Sequence, residues 1–183
     1  LLAFCEGRRD GRSDTGDIDM LVKRSEDGGR SWSKQQVVWT DPGNTCGNPC
    51  PVVDRDTGMV WLLMTHNLGT DREPQIIDQT SQGSRTVWIS SSRDDGFTWS
   101  DPQDITTTTK GQGWTWYATG PGNGIQLANG RLLIPCDHIE AETNRYFSHV
   151  IYSDDHGQSW HLGGSTQADF VNECCIAELD DGT

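Results

Sequence analysis

One eight-residue motif occurs three times in this chain of 183 residues, and it constrains the fold more than any other feature. The copies are Ser25-Glu26-Asp27-Gly28-Gly29-Arg30-Ser31-Trp32, Ser92-Arg93-Asp94-Asp95-Gly96-Phe97-Thr98-Trp99 and Ser153-Asp154-Asp155-His156-Gly157-Gln158-Ser159-Trp160. Each reads S-x-D-x-G-x-S/T-W, and the Asp positions lie 67 and 61 residues apart. Alternating apolar residues precede every copy: Ile18, Met20 and Val22, then Val87 and Ile89, then Val150 and Tyr152. Such alternation has the period of a β-strand. The motif suits a hairpin corner. Its Asp accepts hydrogen bonds from turn N–H groups, its Gly supplies a positive φ, and its Trp folds under the turn. The three Asp residues are therefore read as scaffolding.

The rest of the chain continues the pattern. Val60–Met64 is an apolar run behind a Thr-Gly turn, and 124–127 and 131–134 flank Ala128-Asn129-Gly130, a hairpin centred on Asn-Gly. Asp54-Arg55-Asp56-Thr57-Gly58 opens like a calcium loop, but Thr65 stands where the twelfth-position acid belongs, so a turn is expected. No stretch reads as a long helix. Repeats of this length, each a few short strands and a corner, predict an all-β chain of propeller blades. Three corners imply about three blades, whereas closed propellers have about four to eight. The chain opens inside an apolar strand and ends at Asp181-Gly182, read as a turn before a returning strand. Residues 1–183 are accordingly expected to form part of a domain.

The formal net charge of −13 argues against binding a phosphate backbone. No apolar run approaches the roughly 20 residues of a membrane helix. Eleven of the fourteen basic residues are Arg, whose fork suits carboxylates. Cys5, Cys46, Cys50, Cys136, Cys174 and Cys175 match no zinc spacing and are expected to be mostly reduced thiols, with a Cys46–Cys50 bridge left open. No cofactor or metal is implied. Leu1-Leu2-Ala3-Phe4 has no charged leader region, which leaves the compartment undetermined.

These blocks together resemble the sialidase (neuraminidase) family, whose Asp box is the repeated motif. The resemblance rests on Phe4-Cys5-Glu6-Gly7-Arg8, on Asp14-Thr15-Gly16-Asp17-Ile18-Asp19 running into the first box, on Gly47-Asn48-Pro49-Cys50-Pro51, on Thr119-Gly120-Pro121-Gly122 and on 172–179. It implies a six-bladed β-propeller, of which this chain supplies about three blades. It also implies retaining hydrolysis of terminal α-ketosidic sialic acids on glycans, glycoproteins or glycolipids. Bacterial members of this kind are expected to be secreted or periplasmic. The family's chemistry uses an Asp acid/base, a Tyr nucleophile activated by a Glu, and three Arg on the sugar carboxylate. It stands outside the two-carboxylate glycosidase scheme. A neutral Tyr suits an anomeric carbon that already carries a carboxylate, because a carboxylate nucleophile would be repelled there.

By this resemblance Asp14 matches the acid/base, and Glu173 matches the Glu that activates the Tyr, at the start of a strand over 173–178. Arg8, Glu6, Asn48 and Glu73 match substrate-side contacts, and Glu6 resembles an acid that pairs with a clamp Arg. His138 is a further candidate contact, next to Asp137 where animal members tend to carry Tyr. Asp17 and Asp19 read as structural. Tyr117, Tyr146 and Tyr152 do not match the nucleophile, and neither it nor the Arg triad falls within 1–183. The resemblance thus predicts that this segment alone is inactive. The competing reading is a non-catalytic Asp-box propeller that binds glycan or protein.

Overall fold

The computed structural model describes residues 1–180 and Gly182. The expected turn at Asp181-Gly182 includes Asp181 and so falls outside the described residues. Among the described residues the chain is all-β apart from two short helices. A first antiparallel run comprises β1 (Leu2–Arg8), β2 (Ile18–Arg24) and β3 (Gln36–Trp39). A second comprises β4 (Thr45–Val53), β5 (Val60–Asn67), β6 (Thr86–Ser92) and β7 (Gln103–Asp104), with α1 (Glu73–Ile77) between β5 and β6. After α2 (Thr106–Thr109), a third comprises β8 (Trp114–Thr119), β9 (Ile125–Gln126), β10 (Leu132–Glu140), β11 (Tyr146–Ser153) and β12 (His161–Ser165). A single parallel bridge, Ile18 to Thr45, joins the first run to the second. The described strands form a seven-stranded and a five-stranded sheet, and no closed ring forms among them.

The side-chain alternation of β5 ties the meanders together. Leu62 and Met64 pack with Met20 and Cys46, whereas Leu63 packs with Tyr117, Ile134, Cys136 and Ile151 of the third meander. Each such fully buried Leu contributes about 1.5–3 kcal/mol. A bulge between Gly47 and Cys50 shifts the β4 register. It moves Cys50 to the face opposite Cys46, although an even spacing would put them on one face. All six cysteines are free, and burial pushes the Cys46 and Cys50 thiols up to about 12. The Cys46–Cys50 bridge left open by the sequence does not form.

The motif is a corner at all three sites, always between the last two strands of a meander. Asp27, Asp94 and Asp155 each accept from the Ser/Thr four residues on, through N–H and hydroxyl, and from the Ser two residues back, at 2.6 to 2.9 Å. These bonds hold Asp27 and Asp94 down at about 2. The Ser hydroxyl in turn accepts from the motif Gly N–H at 2.7 to 2.8 Å. The Trp residues differ. Trp160 is 3% exposed under its turn, whereas Trp32 is 42% exposed.

One expectation needs correction. The segment 172–179 is not a strand. No described strand lies alongside to take its backbone bonds, so it is held at points: Ser148 Oγ donates to the Asn172 carbonyl at 2.6 Å, and Glu178 accepts from the Ala128 N–H at 2.9 Å. The hairpin over Ala128-Asn129-Gly130 forms as expected. Leu127 N–H reaches the Arg131 carbonyl at 2.8 Å around three residues, and only Gly130 is left-handed, at φ 92°. The Asp54–Gly58 turn forms as expected, closed by Gly58 N–H to the Asp54 carbonyl at 2.8 Å.

Candidate functional site

The three corners occupy one end of the meanders. Register pairs Leu2 with Arg24, Val60 with Ser92 and Leu132 with Ser153 there. At the opposite end Arg8 pairs with Ile18, Gly47 with Thr65 and Asp137 with Ser148. That end holds a cavity of about 660 Å3, lined by Glu6, Arg8, Asn48, Thr119, Pro121 and Gly122 among others.

Arg8 is the hub on the first meander. Its Nη2 donates to Glu6 Oε2 at 2.7 Å and to Asp14 Oδ1 at 2.7 Å. Its Nη1 donates to the Arg12 carbonyl at 2.8 Å, which ties down the loop carrying Asp14. The Glu6 and Asp14 carboxylates hold the guanidinium above its ordinary value. The Asp14 side chain is 67% exposed. Arg9 pins the base of the same loop, donating to buried Asp19 at 2.5 Å, and the Thr45 hydroxyl bonds both the N–H and the carbonyl of Gly16 at 3.1 Å. Asp19 is thus structural, as read from the sequence.

Glu6 crosses to the second meander, where its Oε1 accepts from the Asn48 N–H at 2.9 Å. A Cβ on Gly47 would stand 2.7 Å from that oxygen, so glycine permits the approach. Asn48 sits in the bulge at φ 52°, a left-handed conformation that Asn tolerates better than most residues. Its carbonyl accepts from Thr119 Oγ1 at 2.5 Å, and its Oδ1 accepts from Thr65 Oγ1 at 2.7 Å and from Arg85 Nη2.

Arg85 is the residue the sequence reading missed. It is 2% exposed, packs its guanidinium 3.9 Å from the Trp116 ring, and donates from Nη1 to Asn67 Oδ1 at 2.9 Å. Lys110 Nζ donates to its carbonyl at 2.7 Å. Burial lowers Arg85 to about 10, against the opposing pull of Glu6, Asp137, Glu73 and Asp14, so it stays charged at neutral pH. The only sequence signal was an Arg immediately before a strand, which alone points nowhere.

Glu73 opens α1. Burial raises its pKa, with Asp14 adding and Arg85 opposing. Asp137 is 3% exposed with Oδ2 unpartnered, and burial pushes it up to about 7; Glu173 and Glu73 add while Arg85 opposes. Glu173 is exposed on the irregular 166–180 segment. His138 is not brought to this group. Strand alternation turns it away from Asp137, into a buried stack 3.3 Å from the Trp114 ring, with Nδ1 3.0 Å from His149 Nδ1. Tyr117 is buried, donates to the Thr109 carbonyl at 3.2 Å, and burial holds its hydroxyl well above the ordinary value.

Among the described residues Asp54, Asp56 and His156 offer donor atoms within 4.8 Å of one another. The two Asp54 oxygens already accept from the Asp56 N–H, Gln126, Thr57 and His156 at 2.7 to 3.0 Å, which accounts for the cluster without an ion. A larger groove of about 1120 Å3 runs past Leu2, Phe4, Val53, Phe97 and Ile125, away from the acid-rich end.

Residues 1–182 match the family model described as a BNR repeat-like domain. An exo-alpha-sialidase of Aspergillus fumigatus is 41% identical over 152 residues, 74% of this chain and 37% of that protein. Sialidase-3 of Bos taurus is 35% identical over 98% of this chain and 45% of its own length. Among solved structures, Hadza microbial sialidase Hz136 superposes with a TM-score of 0.84 at 26% identity, over 94% of this chain and 36% of that one. The chain therefore spans less than half the length of these relatives.

Proposed function

Because the chain belongs to the sialidase family with BNR repeats, we propose that residues 1–183 are part of the catalytic domain of an exo-α-sialidase. The domain closes as a six-bladed propeller and hydrolyses terminal sialic acids of glycans, glycoproteins or glycolipids with retention. The observation that carries this reading is the convergence of Glu6, Arg8 and Asn48 from two meanders at one cavity, with Asp14 tethered to Arg8 beside it. A propeller that only bound glycan or protein would have no reason to hold Glu6, Arg8, Asp14 and Glu173 at the family's spacing.

In this reading Asp14, on an exposed loop tethered by Arg8, protonates the leaving oxygen and then takes a proton from water. Glu173 accepts the proton of a Tyr nucleophile contributed by chain outside 1–183. Arg8, Glu6, Asn48 and Glu73 meet the polar groups of the sugar. The carboxylates of Glu6, Asp14, Glu73 and Asp137 gather around buried Arg85 at this end. In this reading the three arginines that clamp the sugar carboxylate are contributed by chain outside 1–183.

The test is turnover of sialosides by the full-length protein and its Asp14→Asn variant. Hydrolysis should proceed with retention, and the variant should lose about 100-fold or more on substrates with poor leaving groups. Equal rates on a natural sialoside would remove Asp14 from the assignment. Tight sialoside binding with no release would favour a glycan-binding propeller. The 183-residue chain alone should show no turnover.

A further inference from the structure

We propose that Arg85 is a positioning residue that fixes the side-chain amide of Asn48 so that its NH2 group faces the cavity as a hydrogen-bond donor for the sugar. The proposal rests on the sialoside reading of the cavity and adds a residue that makes no contact with the ligand.

The argument starts from donor and acceptor inventory. A guanidinium has five N–H donors and no acceptor. The amide atom of Asn48 that faces Arg85 Nη2 must therefore be its oxygen, and the Thr65 hydroxyl reinforces this by donating to the same atom at 2.7 Å. The backbone of Asn48 is equally committed, with its N–H on Glu6 at 2.9 Å and its carbonyl on Thr119 at 2.5 Å. Only Nδ2 has no partner among the described residues, and Asn48 lines the cavity.

Arg85 is itself held from several sides. Asn67 takes Nη1, the Trp116 face packs against the guanidinium, and Lys110 holds the main chain. A hydroxyl or amide in place of Arg85, being both donor and acceptor, could face either end of the Asn48 amide. The arginine excludes the flipped rotamer, in which two donors would meet. Orientation is thus settled before ligand arrives, and the ligand does not have to supply the ordering entropy.

The test joins a ligand-free measurement with a kinetic cycle. In the 15N-labelled full-length protein the Asn48 side-chain amide should be as ordered as rigid backbone, with S2 near 0.85. In Arg85→Met it should fall below about 0.6, while backbone amides far from the site keep their shifts. Unchanged order would overturn the proposal whether or not sialosides bind. For turnover, Arg85→Met should raise KM about threefold to tenfold, as for one lost hydrogen bond, with kcat little changed. In an Asn48→Ala background the same change should have no further effect. Additive losses would mean that Arg85 acts independently of Asn48. Should Arg85→Met fail to fold, Arg85→Lys takes its place. A single ammonium cannot serve both Asn48 and Asn67, so the same losses are expected at smaller size. Wild-type protein that neither binds nor cleaves a sialoside would instead sink the functional reading, leaving the relaxation result to judge Arg85.

Discussion

The three corner motifs share a sequence but not surroundings, so replacing the same glycine by alanine in each should cost different amounts. Gly29, Gly96 and Gly157 have φ of 89°, 80° and 87°, so alanine meets the same left-handed penalty at all three, about 1–2 kcal/mol. The space around them differs. A Cβ on Gly29 comes no closer than 3.5 Å to a Leu1 methyl, an ordinary contact. On Gly96 it stands 2.9 Å from a Leu2 methyl, the far end of a side chain that can rotate away. On Gly157 it stands 2.2 Å from the Trp61 ring, whose atoms cannot move separately. Overpacking of that kind costs about 1–3 kcal/mol beyond the backbone strain. Gly29→Ala should therefore destabilise by about 1–2 kcal/mol, Gly96→Ala by slightly more, and Gly157→Ala by about 2–5 kcal/mol.

Guanidinium denaturation followed by Trp fluorescence measures the series, read as midpoint shifts at constant m. A Gly157→Ala,Trp61→Leu double variant gives the control. With the ring removed, the extra cost at Gly157 should vanish and only the left-handed penalty remain. Equal costs at Gly29 and Gly157 would refute the reasoning, because the φ values alone would then account for the glycines.

Two further predictions concern pH. Asp137 holds its proton more tightly folded (about 7) than unfolded, so its contribution falls as pH rises from about 4 to 7; Asp137→Asn should remove that fall, on the order of a few kcal/mol, in denaturation at pH 4.5 and 7.5. His138 and His149 are lowered by burial to about 4 and about 2, so they oppose this trend: folding loses stability as pH drops below about 6.5, and His149→Leu should reduce that slope by about 1.4 kcal/mol per pH unit.

Local chemistry made much of the fold legible. The motif demanded an Asp acceptor, a left-handed Gly and a Trp cover, and each demand can be read without knowing what the strands pair with. The 172–179 segment shows the limit of that reading. Its apolar run has strand composition, but strand formation needs a neighbour, and no described strand lies beside it. The β4 bulge was equally hidden. Nothing in Cys46-Gly47-Asn48-Pro49-Cys50 announces that the two cysteines face opposite ways, because a register shift is decided by the partner strand.

The same distinction explains which site residues the sequence could supply. Glu6, Arg8 and Asp14 lie within nine residues and carry a local pattern. Arg85 belongs to the site only because β6 begins beside the end of β5, where Asn67 and Thr65 lie, and because β4 bulges toward them. Its role is a product of three strands meeting. The corners make that meeting possible. They close the last two strands of each meander with bonds internal to eight residues, whereas at the opposite end only β10 and β11 share a short turn, with Glu140 N–H on the Arg145 carbonyl at 3.1 Å. There the connections from Arg9 to Asp17 and from Leu68 to Arg85 are long and charged. A buried arginine is costly at such an end unless acids and amides surround it. Glu6, Asp137, Glu73 and Asp14 are thus what lets Arg85 remain charged beneath Asn48.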